Sequence, residues 1–163
     1  ILIQFYNRIM DLLDTSHIDE YREVRDDLVN LIEMFPQDKL DEELFDGISI
    51  KVLLRNIILA EIYLIAILED FKEGREIPWE DPYEEDLSPL IHPDSEWEDL
   101  YDDLGFSGER VLQALEDFPS ELWDAKIWKD RNLTPRRLIE IDTQQYRDGY
   151  AEEISKYISI EDF

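Results

Sequence analysis

The 163-residue chain contains no cysteine, which excludes disulfides, thiolate catalysis and zinc–sulfur sites. Histidine is limited to His17 and His92. Both are expected as surface or capping residues, one at a helix start and one in a proline-rich connector. Positive charge is scarce: 16 Lys and Arg face 42 Asp and Glu, a formal net charge of −26. Such a chain repels phosphate backbones, which argues against nucleic acid and anionic membranes as direct partners. No apolar run is long enough to span a bilayer. The longest, Ile57 to Leu68, is apolar except for Glu61 and reads as a buried core helix. The opening Ile1 to Tyr6 is apolar but lacks a basic flank and a small-residue cleavage site. No secretory signal is therefore expected, and a reducing cytoplasm is the expected setting.

What is present is enough for a core. Hydrophobic residues make up 44% of the chain, so the acidity is not that of a disordered polymer. A single domain spanning 1–163 is expected, burying about two thirds of its unfolded surface. The charge reads either as a solvated surface or as a docking face for a basic partner. It is uneven: residues 69 to 103 hold fifteen acidic residues against Lys72 and Arg75, half of the whole excess.

The apolar spacing predicts an all-α fold of four long helices plus a short N-terminal one over 1–14 with mixed apolar faces. Ser16 is placed as the cap of the next helix, whose stripe is Tyr21, Val24, Leu28, Leu31 and Phe35, ended by Pro36. After a polar connector with Gly47, Ser49 caps a helix running to Lys72, with Gly74 as its stop. This helix is apolar almost all the way round and is expected to be the most buried. Residues 74–95 carry Pro78, Pro82, Pro89 and Pro93, a long crossover that lets the helices it joins run in the same direction. The third helix spans Glu96 to Phe118, with Gly105 and Gly108 permitting close packing. Thr134 caps and Pro135 starts the fourth, whose inward stripe is Ile139, Thr143, Tyr146, Tyr150, Ile154 and Tyr157.

Two segments, Ile48 to Glu61 and Thr134 to Ile154, with Pro78-Trp79 between them, resemble the DinB-like (DinB/YfiT) four-helix-bundle superfamily. The resemblance covers about residues 18 to 158. Metal-binding members of that family hold a divalent metal with one histidine from the second helix and two from the fourth. The matching positions here are Asn56, Tyr146 and Tyr150. An amide and two phenols are poor ligands for such a metal, so no bound metal and no cofactor are expected. The stretch Phe118 to Trp123, then Trp128, Thr134 and Arg137 to Ile139, is similar to the ClbS/DfsB-like branch, which also lacks the triad. Its best-known member protects its producer from an electrophilic cyclopropane natural product. That branch has a tyrosine where this chain has Asn56. Dimers are common among the relatives, so the resemblance implies a homodimer.

Glu61, in an apolar run, is either a general acid or base with a burial-raised pKa, or a buried carboxylate bonded to a tyrosine or arginine of another helix. Asp142 has the same two readings. Tyr146 and Tyr150 either bind a substrate or stabilise an oxyanion, or fill the core with tied hydroxyls. Trp79 and Trp128, with Trp97 and Trp123, either line a pocket or pack. Arg136 and Arg137 sit at a positive helix N-terminus. With Lys126, Lys129 and Arg131 they form a basic cluster that pairs with the acidic 69–103 segment or receives an anion. The leading expectation is a small-molecule-binding or detoxification bundle with Glu61, Tyr146 and Tyr150 as chemical groups and Asn56, Trp79, Trp128, Asp142 and Arg137 as binding groups, and hydrolysis as its reaction. A non-catalytic acidic interaction module is the alternative. A metal-dependent thiol-transferase or hydrolase ranks last.

Overall fold

The computed structural model describes residues 1–12, 14–79 and 96–161. The chain is predominantly helical: α1 Leu2–Leu12, α2 Ser16–Glu33, α3 Ile50–Lys72, α4 Trp97–Asp117, α5 Pro135–Gln144 and α6 Glu152–Glu161. A π-helical segment, Gln145–Ala151, joins α5 to α6 without a break. His92, Pro82, Pro89 and Pro93 lie outside the described residues, as does most of the acidic crossover.

The helix ends follow local chemistry. The Ser49 hydroxyl accepts the Val52 N–H, and the Thr134 hydroxyl accepts the Arg137 N–H ahead of Pro135. Gly74, at φ 71°, takes the left-handed conformation past the end of α3. Ser16 does not cap α2 as expected. It is the first helical residue, and its N–H donates to the Asp14 carboxylate at 2.9 Å.

The connector ahead of α3 is not merely polar loop. Glu43–Phe45 and Ile48–Ser49 form an antiparallel hairpin, β1 and β2. Asp46 and Gly47 both have positive φ, 48° and 77°, as a tight two-residue hairpin turn requires.

Side-chain pairs set the helix directions. Arg22 meets Glu116 at 2.9 Å while Glu33 lies beside Tyr101, so α2 and α4 are antiparallel. Glu61 meets Ser107 and Phe71 stacks on Phe118, so α3 and α4 run parallel. His17 meets Arg136 and Phe35 stacks on Tyr157, so α2 runs parallel to the α5–α6 helix. The parallel α3–α4 pair is the geometry a long crossover allows.

α3 is the most buried helix, with ten buried residues including Leu53, Leu54, Ile57, Leu64 and Leu68. Each such side chain contributes about 1.5–3 kcal/mol by leaving water. On α2 the buried stripe is Ile18, Tyr21, Val24, Arg25, Leu28 and Ile32, with Leu31 only half-buried. α1 stands apart: none of its described side chains joins the core, and Ile1 to Met10 are all exposed.

The two α4 glycines differ. A Cβ on Gly108 would collide with the Arg25 guanidinium, whereas one on Gly105 would meet nothing within 4 Å. Gly108→Ala is therefore expected to destabilise by about 1–3 kcal/mol through overpacking. Gly105→Ala should stabilise by up to about 1 kcal/mol through helix propensity alone. Equilibrium denaturation of the two variants checks the opposite signs.

Candidate functional site

Glu61 is fully buried and draws polar partners from the neighbouring helices. From α2, Arg25 Nε donates to its Oε1 at 3.0 Å. From α4, Ser107 Oγ donates to its Oε2 at 3.2 Å. Arg25 is itself buried and uses a second nitrogen to reach the Leu104 carbonyl at 2.7 Å. Tyr21 Oη donates to Tyr146 Oη at 3.5 Å, and both rings are buried. Burial pushes the Glu61 carboxyl above the ordinary glutamate range. The charge and hydrogen bond of Arg25, with the hydroxyls of Ser107 and Tyr146, pull the other way. Burial also raises both phenols well above 10, so they stay protonated.

This is the arrangement of a buried carboxylate bonded across helices. Arg25 is the residue that sequence reasoning missed. It lies on the same stripe as Tyr21 and Leu28, four residues after one and three before the other. A cation at that phase of an apolar stripe is the signal for a buried partner.

Asp142 and Tyr150 sit at the edge of this network. Asp142 is half-buried, one turn before Tyr146. Burial and then the charge of Glu61 raise its pKa to about 7. Tyr150 is half-buried, its ring 6.1 Å from that of Tyr146 and 6.4 Å from Phe45 of the hairpin. Both tyrosines lie in the π-helical segment, a rare conformation often found where a helix carries function.

The other expected site residues are elsewhere. Asn56 is solvent-exposed. It precedes Glu61 by five residues, about 140° around the helix, so it cannot share a pocket with it. Trp79 and Trp128 pack edge-to-face at 4.9 Å, and the Trp128 indole donates to the Ile77 carbonyl at 2.8 Å. The Arg131 guanidinium lies 3.7 Å from the centre of the Trp79 ring, a cation–π contact. Trp123 is buried against His17 and Phe118. Arg137 is exposed and pairs with Glu140 on its own helix.

His17 is not a surface residue. It is buried, with its Nδ1 3.0 Å from an Arg136 nitrogen and its Nε2 without a partner among the described residues. Arg136 meets both oxygens of Asp124, at 2.8 and 3.2 Å, and lies 3.5 Å from Asp14. These pairs neutralise it.

The positions that the sequence resemblance matches to metal ligands do not fit a metal. Asn56 faces away, the Tyr146 phenol stays protonated, and among the described residues no three His, Asp or Glu side chains converge on a metal-binding point. Clefts open among the described residues include two of similar size. One, of about 420 Å³, lies between α3 and α4; the other, of about 320 Å³, lies around His17 and Arg136. Neither is lined by Glu61, Tyr146 or Tyr150. Among these residues, no helix is long and apolar enough to cross a membrane.

Arg25→Met alone leaves a buried, uncompensated carboxylate and is expected to destabilise by about 3–5 kcal/mol. Arg25→Met with Glu61→Leu should destabilise less than Arg25→Met alone, and a double-mutant denaturation cycle measures the coupling. Asp142 gives a pH signature. Its folded pKa lies above its unfolded value of 3.8, so its contribution to stability is complete below that value and is lost as pH rises through about 7. Asp142→Asn should be more stable than the parent, with a gap that widens from pH 5 to pH 8 and reaches roughly 3–6 °C in Tm. A gap constant across that range would refute the assignment.

No protein-family model matches the sequence, and neither a curated protein nor a solved structure matches the chain.

Proposed function

We propose that this chain is a non-catalytic acidic interaction module, built on a metal-free four-helix bundle of the DinB-like type and working in the cytoplasm. The observation that carries this reading is the placement of charge. The groups suited to chemistry, Glu61 and Tyr146, are sealed in the core, while an uncompensated anionic face lies outside.

That acidic surface spans α2 from Glu23 onward and the first half of α4, where the charge of Glu33 reaches Tyr101. It exposes Glu23, Asp26, Asp27 and Glu33 on one helix and Glu98, Asp99, Asp102 and Asp103 on the other. None of the eight takes part in an ion pair among the described residues, whereas Asp19, Glu116 and Glu20 elsewhere on the same helices do. The only cation in these stretches is Arg25, which is buried. A surface of one sign attracts a basic partner and speeds its encounter.

A second reading, binding or hydrolysis of a small electrophile, draws on Asp142 alone. A half-buried carboxyl titrating at about 7, one turn before Tyr146, has the properties of a general base at neutral pH. It predicts turnover that rises through that pH and disappears in Asp142→Asn.

The interaction reading is tested with an arginine- and lysine-rich peptide titrated calorimetrically at low and high salt. Changing Asp26, Asp27, Asp102 and Asp103 to Asn is expected to weaken binding by at least about tenfold. Neutralising four exposed acids that already have partners, Glu20, Glu116, Glu140 and Glu152, should change it little. Equal losses in the two sets would mean attraction by net charge without a docking face, and would refute the reading.

A further inference from the structure

α1 exposes large apolar side chains in close succession: Leu2 is 84% exposed, Phe5 64% and Tyr6 62%. Leu2, Phe5, Tyr6 and Ile9 share one side of the helix, while Gln4, Asn7 and Arg8 share the other. An apolar face this continuous is not stable in water on its own account and marks a contact. A cleft among the described residues offers apolar side chains as well. The cleft of about 420 Å³ between the parallel helices α3 and α4 has Ile65, Leu68, Ala114 and Phe118 along its floor.

We propose that α1 of one copy seats its apolar face in the α3–α4 groove of a second copy, with a reciprocal exchange closing a two-fold dimer.

The dimensions agree. The eleven residues of α1 make a rod of about 16 Å, and the groove follows Ile65 to Lys72 and Glu109 to Phe118, about 11–14 Å along each helix.

Charge selects the same two surfaces. Two bodies of −26 repel one another, but α1 carries only Arg8 and Asp11 and is net neutral. The groove rim sets Glu69, Glu109 and Asp117 against Lys72 and Arg110, which leaves it nearly neutral. Contact through these faces brings the copies together with little like-charge repulsion.

The short connection limits how α1 can reach the groove of its own copy. Only residues 13–15 separate α1 from α2, a reach of about 14 Å at full extension. Gly108 faces Arg25 of α2, and Asp117 lines the groove nine residues later, about 180° around α4. The groove therefore opens on the side of α4 away from α2.

The absence of native cysteine makes the test direct. In the full-length chain, Phe5→Cys combined with Ala114→Cys is oxidised and run under non-reducing conditions. The expected product is a disulfide-linked dimer, with neither single variant linking comparably. A monomer closed by an internal disulfide would show that α1 covers its own groove. Efficient linking by Phe5→Cys alone would show that two α1 helices pair with each other. Either result overturns the proposal. In parallel, sedimentation of the unmodified chain should show a dimer that Phe5→Asp with Ile9→Asp weakens by at least about tenfold, and that Ala114→Asp weakens likewise. The α1 variants lie on exposed positions, so circular dichroism should report unchanged folding. A chain that stays monomeric at high micromolar concentration, or a dimer indifferent to Ala114→Asp, would also refute it.

Discussion

The rest of the structure depends on one buried ion pair. An ionised glutamate in an apolar interior is strongly unfavourable unless its charge and lone pairs are met, and here they are met from different helices. Arg25 comes from α2, Glu61 from α3 and Ser107 from α4, with the Tyr146 hydroxyl nearby from the long C-terminal helix. The pair imposes a register on the helices it joins. Apolar contacts tolerate sliding of one helix along another, but a guanidinium that must satisfy Glu61 and the Leu104 carbonyl together does not. Gly108 is part of the same constraint, because only a residue without a side chain leaves room for Arg25 at that level of α4.

This constraint also separates interior from exterior. The interior spends its polar groups on each other, so the carboxylate and the phenol best suited to acid–base work have no open path to solvent. Among the described residues, the exterior carries nearly all of the charge, much of it on α2 and α4 facing away from their buried stripes. A protein arranged in this way presents its chemistry as a field rather than as a pocket. The exception is Asp142, placed where the network reaches the surface and tuned toward neutrality by the same glutamate.

Much of the helical layout was legible in the sequence because its signals are local. Ser49, Gly74, Thr134 and Pro135 act through their own backbone, and the structure uses them as read. The burial of Glu61 was legible from the apolar run around it. Its partner was not, because nothing local distinguishes a buried arginine from an exposed one; only the phase of Arg25 on the α2 stripe does. Asn56 was carried into the site by resemblance, whereas its angular distance from Glu61 sends it to solvent. His17 looked like a helix-start residue, and its burial against Trp123 comes from a contact more than a hundred residues away. The hairpin rests on the two-residue Asp46-Gly47 turn and strands too short to show alternation. Nothing in the periodicity announced the π-helical segment.

That segment has a consequence for the phase of the last helix. In an unbroken α-helix, Tyr146 and Ile154 are eight residues apart and point about 80° away from each other. Both are nevertheless fully buried. A π turn holds one more residue than the α turn it replaces, so everything after it is rotated back by about 100°. Ile154 returns to within about 20° of Tyr146, and the two halves of the helix present a single inner face. Gln145–Ala151 thus behaves as a one-residue insertion absorbed without breaking the helix, and α6 owes its seat against the core to that extra residue.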